Sequence, residues 1–322
     1  MSGSPQVKFL LTSVGRRVEL VRHFMNSEAF RDGWLEIIGT EIDPTSPAAL
    51  ALGDRVRIVP KFTDPTFPSA IERICRQEGV TAVLPLIDPD VDVLSEAAAA
   101  ASWGGAPFAS VPHAVAHLAS DKWSTFLWLR GHGIDTAKTW LPGDVPEDAS
   151  FPLFVKPRRG SGAIDTYKVR NEEELRFFAA YVSDPIVQSF LKGPEVTVDV
   201  IVGAKGEVLA SVQRQRLLVR GGEVARGVTI NDPAITDVVK RLVEQLKPSG
   251  PVTVQGMYDR GAFKVTECNA RMGGGLPLAV AAGVPVADLL ARSWAGEHVE
   301  PVREYATGVV MARFDDSFFV HP

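Results

Sequence analysis

Cysteine is scarce in this sequence of 322 residues, with only Cys75 and Cys268 present. They are distant from each other and lack CxxC spacing, which excludes a disulfide framework and a thiolate zinc site and leaves two reduced core thiols as the expectation. Long apolar runs are missing as well. The alanine run Ala97 to Ala101 suits a helix but falls far below the ~18 residues needed to cross a bilayer. There is no surplus of positive charge: the formal net charge is −5, which argues against a broad footprint for nucleic acid or an anionic membrane surface. The start, MSGSPQVKFLLTSVG, has no basic stretch leading into a long apolar one, so a cytoplasmic location is expected. The six histidines form no metal-ligating pattern, and His113 and His117 are expected at a cap or on the surface. Neither a Walker pattern nor a dinucleotide fingerprint occurs, and no internal repeat is visible.

What is present is an ordinary folded composition, 45% apolar and 23% charged, in a chain long enough for two or three lobes. From the start, short apolar runs alternate with helical patterns. Val7 to Leu11, Glu36 to Thr40 and Ala82 to Leu86 are predicted strands, with helices at about Arg16 to Asn26 and Pro68 to Glu78, which predicts a parallel α/β unit. Ligands gather at the carboxyl ends of such strands. Here those ends carry Arg16, Asp43, Asp88 and Asp90, either as loop and cap residues or as a site for a small zwitterion such as an amino acid.

A helix is predicted to open at Ser120-Asp121-Lys122 and to close at Gly131 to Gly133. After a proline-rich linker come strands at Leu153 to Lys156 and Thr166 to Arg170, a helix at Glu172 to Tyr181 and a strand at Ile186 to Gln188, a small α+β lobe. Period-two alternation then predicts a hairpin, Glu195 to Val202 and Val208 to Leu218, around Gly203 to Gly206. A helix over Ala234 to Leu246, a second hairpin (Val252 to Tyr258 with Phe263 to Asn269) and a helix over Pro285 to Trp294 complete the chain.

The stretch Lys264 to Arg271 is the most informative. Glu267, Asn269 and Arg271 are expected on one face of a strand, with Val265 and Cys268 turned into the packing. A carboxylate and an amide beside a guanidinium suit a magnesium-nucleotide complex, because Mg²⁺ takes hard oxygen ligands and keeps phosphates or waters in its shell. Gln255, on the preceding strand, can face the same site, and Gly273-Gly274-Gly275 follows directly. A second element is Phe154 to Ala163, where Lys156 leads into the loop Gly160-Ser161-Gly162. Such glycines admit phosphate oxygens close to backbone N–H groups, although a GxG loop also serves as a plain hairpin turn. Arg214 and Arg216 share a strand face; with Arg226, expected in the following loop, they are candidates for gripping a substrate carboxylate, or else form a solvated face.

Lys122, Lys156, Gln188-Ser189-Phe190-Leu191, Glu195, Gln255, Glu267, Asn269 and Arg271, in this order and spacing, resemble an ATP-grasp enzyme of the carbamoyl-phosphate-synthetase-like branch. The resemblance covers nearly the whole chain. It implies an α/β and α+β architecture: an N-terminal parallel domain over 1–112, a linker helix and lid over 113–190, and a C-terminal antiparallel lobe over 191–322. It further implies ATP and Mg²⁺ (or Mn²⁺) as cofactors. Lys122 and Lys156 would contact the nucleotide phosphates, Gln188 to Leu191 would hold adenine and Glu195 the ribose. Gln255, Glu267 and Asn269 would bind the metal, with Arg271 beside the transferred phosphoryl group. Two departures stand out: a glutamine occupies position 188, where an acidic residue is common, and the usual EINPR-like string reads Glu267-Cys268-Asn269-Ala270-Arg271.

The expected activity is carboxylate-amine ligation through an acyl phosphate, releasing ADP and phosphate. The partners expected are small-molecule carboxylate and amine substrates, with a homodimer left open and no nucleic acid or membrane partner. A grasp-fold kinase and a non-catalytic ATP-binding regulatory module are the alternatives.

Overall fold

A computed structural model of the chain describes residues 6–100, 103–160 and 162–320. The chain opens with β1 (Val7–Thr12), α1 (Val18–Met25), α2 (Glu28–Arg31), β2 (Leu35–Glu41), α3 (Pro47–Leu52), β3 (Val56–Ile58), α4 (Phe67–Glu78), β4 (Ala82–Pro85) and α5 (Asp88–Ala99). Its four strands are parallel in the order β3-β2-β1-β4. Phe9, Leu10 and Leu11 on β1 are all fully buried; a strand covered on both faces has no polar side and so reads as a continuous apolar run. Helix α4 carries Pro68 in its first turn and stops at Gly79, whose φ of 66° is open to glycine at little steric cost. Asp88-Pro89-Asp90, expected as a loop at a strand end, instead forms the first turn of α5.

Helices α6 (His113–Ser120) and α7 (Lys122–Gly131) connect this unit to the rest. Ala116, Leu129 and Ile134 pack with Val196, Val254 and Val265 of the carboxyl-terminal sheet. The small lobe contains β5 (Thr139–Trp140), β6 (Leu153–Pro157), β7 (Tyr167–Val169), α8 (Glu172–Tyr181) and β8 (Pro185–Ser189). Its antiparallel sheet runs β5-β8-β6-β7 over a separate core of Leu153, Val155, Val169, Val182 and Val187.

The last lobe holds β9 (Glu195–Val202), β10 (Val208–Arg220), β11 (Glu223–Ile230), α9 (Pro233–Leu246), β12 (Val252–Asp259), β13 (Ala262–Asn269), α10 (Pro277–Ala281), α11 (Val286–Trp294) and β14 (Val310–Ala312). Its antiparallel sheet runs β13-β12-β9-β10-β11-β14. Strands β11 and β14 were not expected from the sequence. In β11 the apolar alternation is interrupted by Arg226 and Gly227, and β14 is only three residues long, too short for a periodic pattern.

A slip in register shapes the functional edge of this sheet. Gln255 pairs with Glu267, but the next residue, Gly256, pairs with Val265. Thr266 is therefore an extra residue, a bulge that reverses which side chains face inward. Strict alternation would turn Val265 to the same side as Glu267. The bulge instead lets Phe263, Val265, Cys268 and Ala270 all enter the core.

The first and last lobes share one apolar core, in which Phe9 and Leu11 join Ile201, Val212, Leu276 and Leu290. Burial of this kind contributes roughly 25 cal/mol per Å², so the strand ends of the parallel sheet are held firmly against the antiparallel one. Among the described residues no helix is long and apolar enough to cross a membrane.

Candidate active site

A cavity of about 200 Å³ opens where the lobes meet, lined among others by Asp88, Lys122, Arg159, Gly160, Glu267 and Asn269. Lys122 is the first residue of α7, whose N-cap Asp121 accepts the amides of Trp123 and Ser124. Arg158, at the end of the lid strand, donates to Asp121 Oδ2 at 2.5 Å. Burial works to raise the Asp121 carboxyl, but the Arg158 guanidinium and the Trp123 amide prevail and hold it at about 2. The Lys122 ammonium donates to the Gly160 carbonyl at 2.6 Å, tying the helix start to the glycine loop.

Lys156 on β6 lies deeper. Burial pulls its ammonium down to about 8, against the attraction of Glu267 and with the repulsion of Lys122. It forms no ion pair among the described residues. Burial also lowers Lys122. Two partly desolvated cations facing each other favour an anionic ligand between them. Gly160 and Gly162 have φ of 105° and 73°, backbone conformations that glycine adopts at little steric cost. Gly222 at the β10–β11 turn lies against the backbone of Gly162, and a Cβ on Gly222 would clash with it. Ser161 lies outside the described residues.

On β12 and β13, Gln255 and Glu267 stand opposite each other. The hydrogen-bond network turns the Gln255 oxygen to Arg216 and its nitrogen to Glu267 Oε2, at 3.0 Å. With Asn269 these residues offer one carboxylate and two amide oxygens, that of Gln255 only once it leaves Arg216. Among the described residues no three His, Cys, Asp or Glu side chains cluster as a metal site. This donor set therefore fits Mg²⁺ delivered with phosphate oxygens better than a bare ion. At the end of β8 the Gln188 amide is buried and donates to Thr139 Oγ1 at 2.8 Å, and Ser189 N–H donates to the Lys138 carbonyl. Phe190 and Leu191 follow, and their N–H groups have no protein acceptor among the described residues.

Arg271 Nη2 donates to Asp88 Oδ2 at 2.8 Å and its Nη1 to the Met272 carbonyl, while its Nε is buried without a partner among the described residues. Arg216 donates to Glu195 Oε1 at 3.0 Å and to the Gly222 carbonyl, so the carboxylate expected at the ribose is paired with an arginine expected at the substrate.

Several expected site residues lie elsewhere. Arg16 is exposed, and Arg17 is the arginine turned inward: its Nη2 donates to the Leu86 carbonyl at 3.0 Å. Asp43 is exposed and its carboxylate accepts from the backbone and hydroxyl of Thr45, a local turn. Asp90 is 0% exposed beneath the strand ends, accepting from Thr12 Oγ1 at 2.6 Å. Arg226 belongs to β11 rather than a loop, and stands on the face opposite its neighbour Gly227, the residue that pairs with Arg216. Arg214 is only 3% exposed, committed to Asp199 through Nε at 2.7 Å, and roofed by Gly273 and Gly275. The glycine run thus serves close packing over a buried ion pair.

Arg17, Asp199, Glu223 and Arg313 were missed. Asp199 had a signal, since one carboxylate within the mostly apolar run Val196 to Val202 requires a buried partner. Glu223 and Arg313 had none: Arg313 donates to the Gly274 carbonyl and lies 3.6 Å from Glu223, contacts that sequence proximity does not foreshadow.

Two family models match the chain: "PylC-like, N-terminal domain" over residues 9–107, and "ATP-grasp in the biosynthetic pathway with Ter operon" over residues 182–316. A D-alanine-D-alanine ligase of Haemophilus ducreyi is 28% identical over 156 residues, 45% of this chain and 50% of the relative. The stretches matched in such curated relatives span half or less of their length. Among solved structures, N5-carboxyaminoimidazole synthetase from Staphylococcus aureus, complexed with ADP, superposes with a TM-score of 0.74 at 13% identity, covering 95% of this chain and 81% of that one. L-amino acid ligase from Bacillus licheniformis gives 0.69 at 20% identity, covering 91% and 75%. The biotin carboxylase domain of the Hydrogenobacter thermophilus 2-oxoglutarate carboxylase, in complex with MgADP, gives 0.72 at 16% identity, covering 91% and 71%. The lobes, the matched segments and these shared folds agree on the ATP-grasp fold, and residues 182–316 match an ATP-grasp family.

Proposed function

We propose that this chain is an ATP-dependent carboxylate-amine ligase of the carbamoyl-phosphate-synthetase-like branch, forming an acyl phosphate and passing the acyl group to an amine. The observation that carries the reading is the gathering of Asp88, Lys122, Gly160, Glu267 and Asn269, from separate lobes, around one cavity. Lys122 and Lys156 neutralise the triphosphate. The free N–H groups of Phe190 and Leu191 suit the adenine edge, beside Gln188 and Ser189, and Glu195 suits the ribose once Arg216 yields it. Gln255, Glu267 and Asn269 would hold Mg²⁺ (or Mn²⁺), which when bound neutralises charge on the phosphate oxygens.

Attack of a carboxylate on the γ-phosphate brings two anions together, so fixed cations must stand where charge accumulates. Arg271, aimed by Asp88, supplies one of them. The Gly160 to Gly162 loop closes over the phosphates and keeps water from the acyl phosphate. The partners of this reaction are then a small carboxylic acid and an amine.

The test follows an ¹⁸O label from the carboxylate of the acid substrate. Ligation transfers one labelled oxygen to the released phosphate, whereas label that stays wholly in the product, or an absence of ADP formation across acids and amines, defeats the reading.

A further inference from the structure

Between the ends of the parallel sheet and the β10–β11 turn lies a charged cluster that the phosphate site does not absorb. Arg17 is anchored by Nη2 on the Leu86 carbonyl, and its Nη1 is buried without an acceptor among the described residues. A Glu223 oxygen lies 3.8 Å from Nη2, too long for a hydrogen bond. Burial brings the guanidinium down to about 10, and nearby Arg271 adds repulsion. Arg271 itself has an unpartnered Nε. Two adjacent guanidiniums with unused donors call for an oxyanion, because a buried donor without an acceptor is costly.

Glu223 presents the complementary lack. Its carboxylate is about half exposed and accepts no hydrogen bond among the described residues, although Arg17 and Arg313 stand at 3.8 and 3.6 Å. Burial favours its neutral form, but Arg17, Arg313 and Arg271 pull its pKa below the usual range, so it is an anion at neutral pH. Gly274 carries it on a surface with no space for a Cβ. Arg17, Arg271 and Arg313 are balanced in number by Asp88, Glu223 and Glu19. A balanced cluster gains little from a ligand of net charge, but it can satisfy both ends of a neutral zwitterion.

We propose that Arg17 and Glu223 form a zwitterion clamp, so that one substrate of the ligase is an α-amino acid or close analogue, its carboxylate on Arg17 and its ammonium on Glu223. This rests on the ligase reading for its position beside the phosphoryl-transfer site. The clamp residues come from the β1–α1 loop and the first position of β11, so substrate binding would join the first lobe to the strand end beside Gly222, which lies against Gly162.

The test is calorimetric titration of the intact chain, saturated with Mg²⁺ and a non-hydrolysable ATP analogue, with L- and D-amino acids, their des-amino acids and their decarboxylated amines. At least one amino acid binds, and both truncated forms bind about tenfold or more weakly, as loss of a charge-assisted contact implies. Arg17→Met lowers amino-acid affinity by about tenfold or more and leaves the ATP analogue within about twofold; Arg17→Lys restores part of it. Glu223→Gln abolishes the preference over the des-amino acid. Unchanged binding in Arg17→Met, equal binding of des-amino acids to the wild type, or no amino-acid binding at all overturns the clamp. Failure of the ATP analogue to bind the wild type strikes the ligase reading instead, and its retention in the variants reports that they are folded.

Discussion

Asp88 Oδ2 accepts from Arg271 Nη2 at 2.8 Å, a pair that bridges 183 positions of sequence and joins the first turn of α5 to the residue pair following β13. Both side chains are largely buried, so the carboxylate both orients the guanidinium and offsets its desolvation. Burial disfavours the charge on Arg271, yet Asp88, with Glu267 and Glu223, more than compensates and raises its pKa. Asp88→Asn keeps the shape and removes the charge. Its kcat is expected to fall about 10- to 100-fold with KM for ATP within about threefold, the pattern of a lost transition-state contact. Steady-state ADP release decides, and an unaltered kcat would remove Asp88 from the mechanism.

Nucleotide affinity should depend on pH through Lys156. Its ammonium titrates at about 8 in the free protein, below its ordinary 10.5. Raising the pH through 8 removes the cation before ATP arrives, so binding of a non-hydrolysable ATP analogue weakens by up to about tenfold per pH unit above 8. Lys156→Arg, which keeps its charge, flattens that slope; equal slopes in both proteins would contradict the assignment. The folding linkage has the same origin. Between 8 and 10.5 the unfolded chain binds the proton that the folded one has lost, so this group's contribution makes stability rise with pH in that window.

Arg214 and Asp199 are expected to act as a structural unit. Their side chains are 4% and 1% exposed, and removing either leaves an unpaired buried charge. Asp199→Ala should destabilise by about 3–5 kcal/mol in urea unfolding, while Asp199→Leu with Arg214→Met should cost far less than the two single changes added. Additive losses would show that the pair is not coupled.

Asp90 carries a penalty at neutral pH. Burial raises its carboxyl to about 6, despite the Thr12 hydroxyl. The folded state therefore holds a proton that the unfolded state releases between about 4 and 6, and stability falls as pH rises through that window. Asp90→Asn, which can still accept from Thr12, should gain roughly 1–3 kcal/mol at pH 7 and little at pH 4. Equal effects at both pH values in thermal unfolding would refute the buried ionisation.

Both thiols are free and buried, and burial pushes Cys268 up to about 12. Native protein should resist a disulfide reagent for hours and react twice once denatured, and reductant should leave its stability unaltered. A fast thiol in the folded state would place Cys268 nearer solvent than its strand allows.

Much of the site was legible because it is local. Glu267, Asn269 and Arg271 sit within five positions, the glycines flanking Ser161 announce a turn, and Lys122 follows a capping aspartate; each pattern follows from the spacing of one strand, one loop or one helix end. The inward position of Val265 with Cys268 depended on the Thr266 bulge, which alternation does not encode. Strand β14 was invisible because three residues carry no period.

The alternation of short apolar runs and helices determined by itself the parallel first sheet, and the spacing of a carboxylate and an amide on one strand marked Glu267 and Asn269, which line the cavity between the lobes. Tertiary structure alone decided that Arg17 rather than Arg16 turns inward, that Arg214 is sealed beneath glycines, and that Asp88 reaches Arg271. Backbone periodicity is set by neighbours in the chain. Whether a charged group is desolvated, and which opposite charge then meets it, is set by the space between lobes that are distant in sequence.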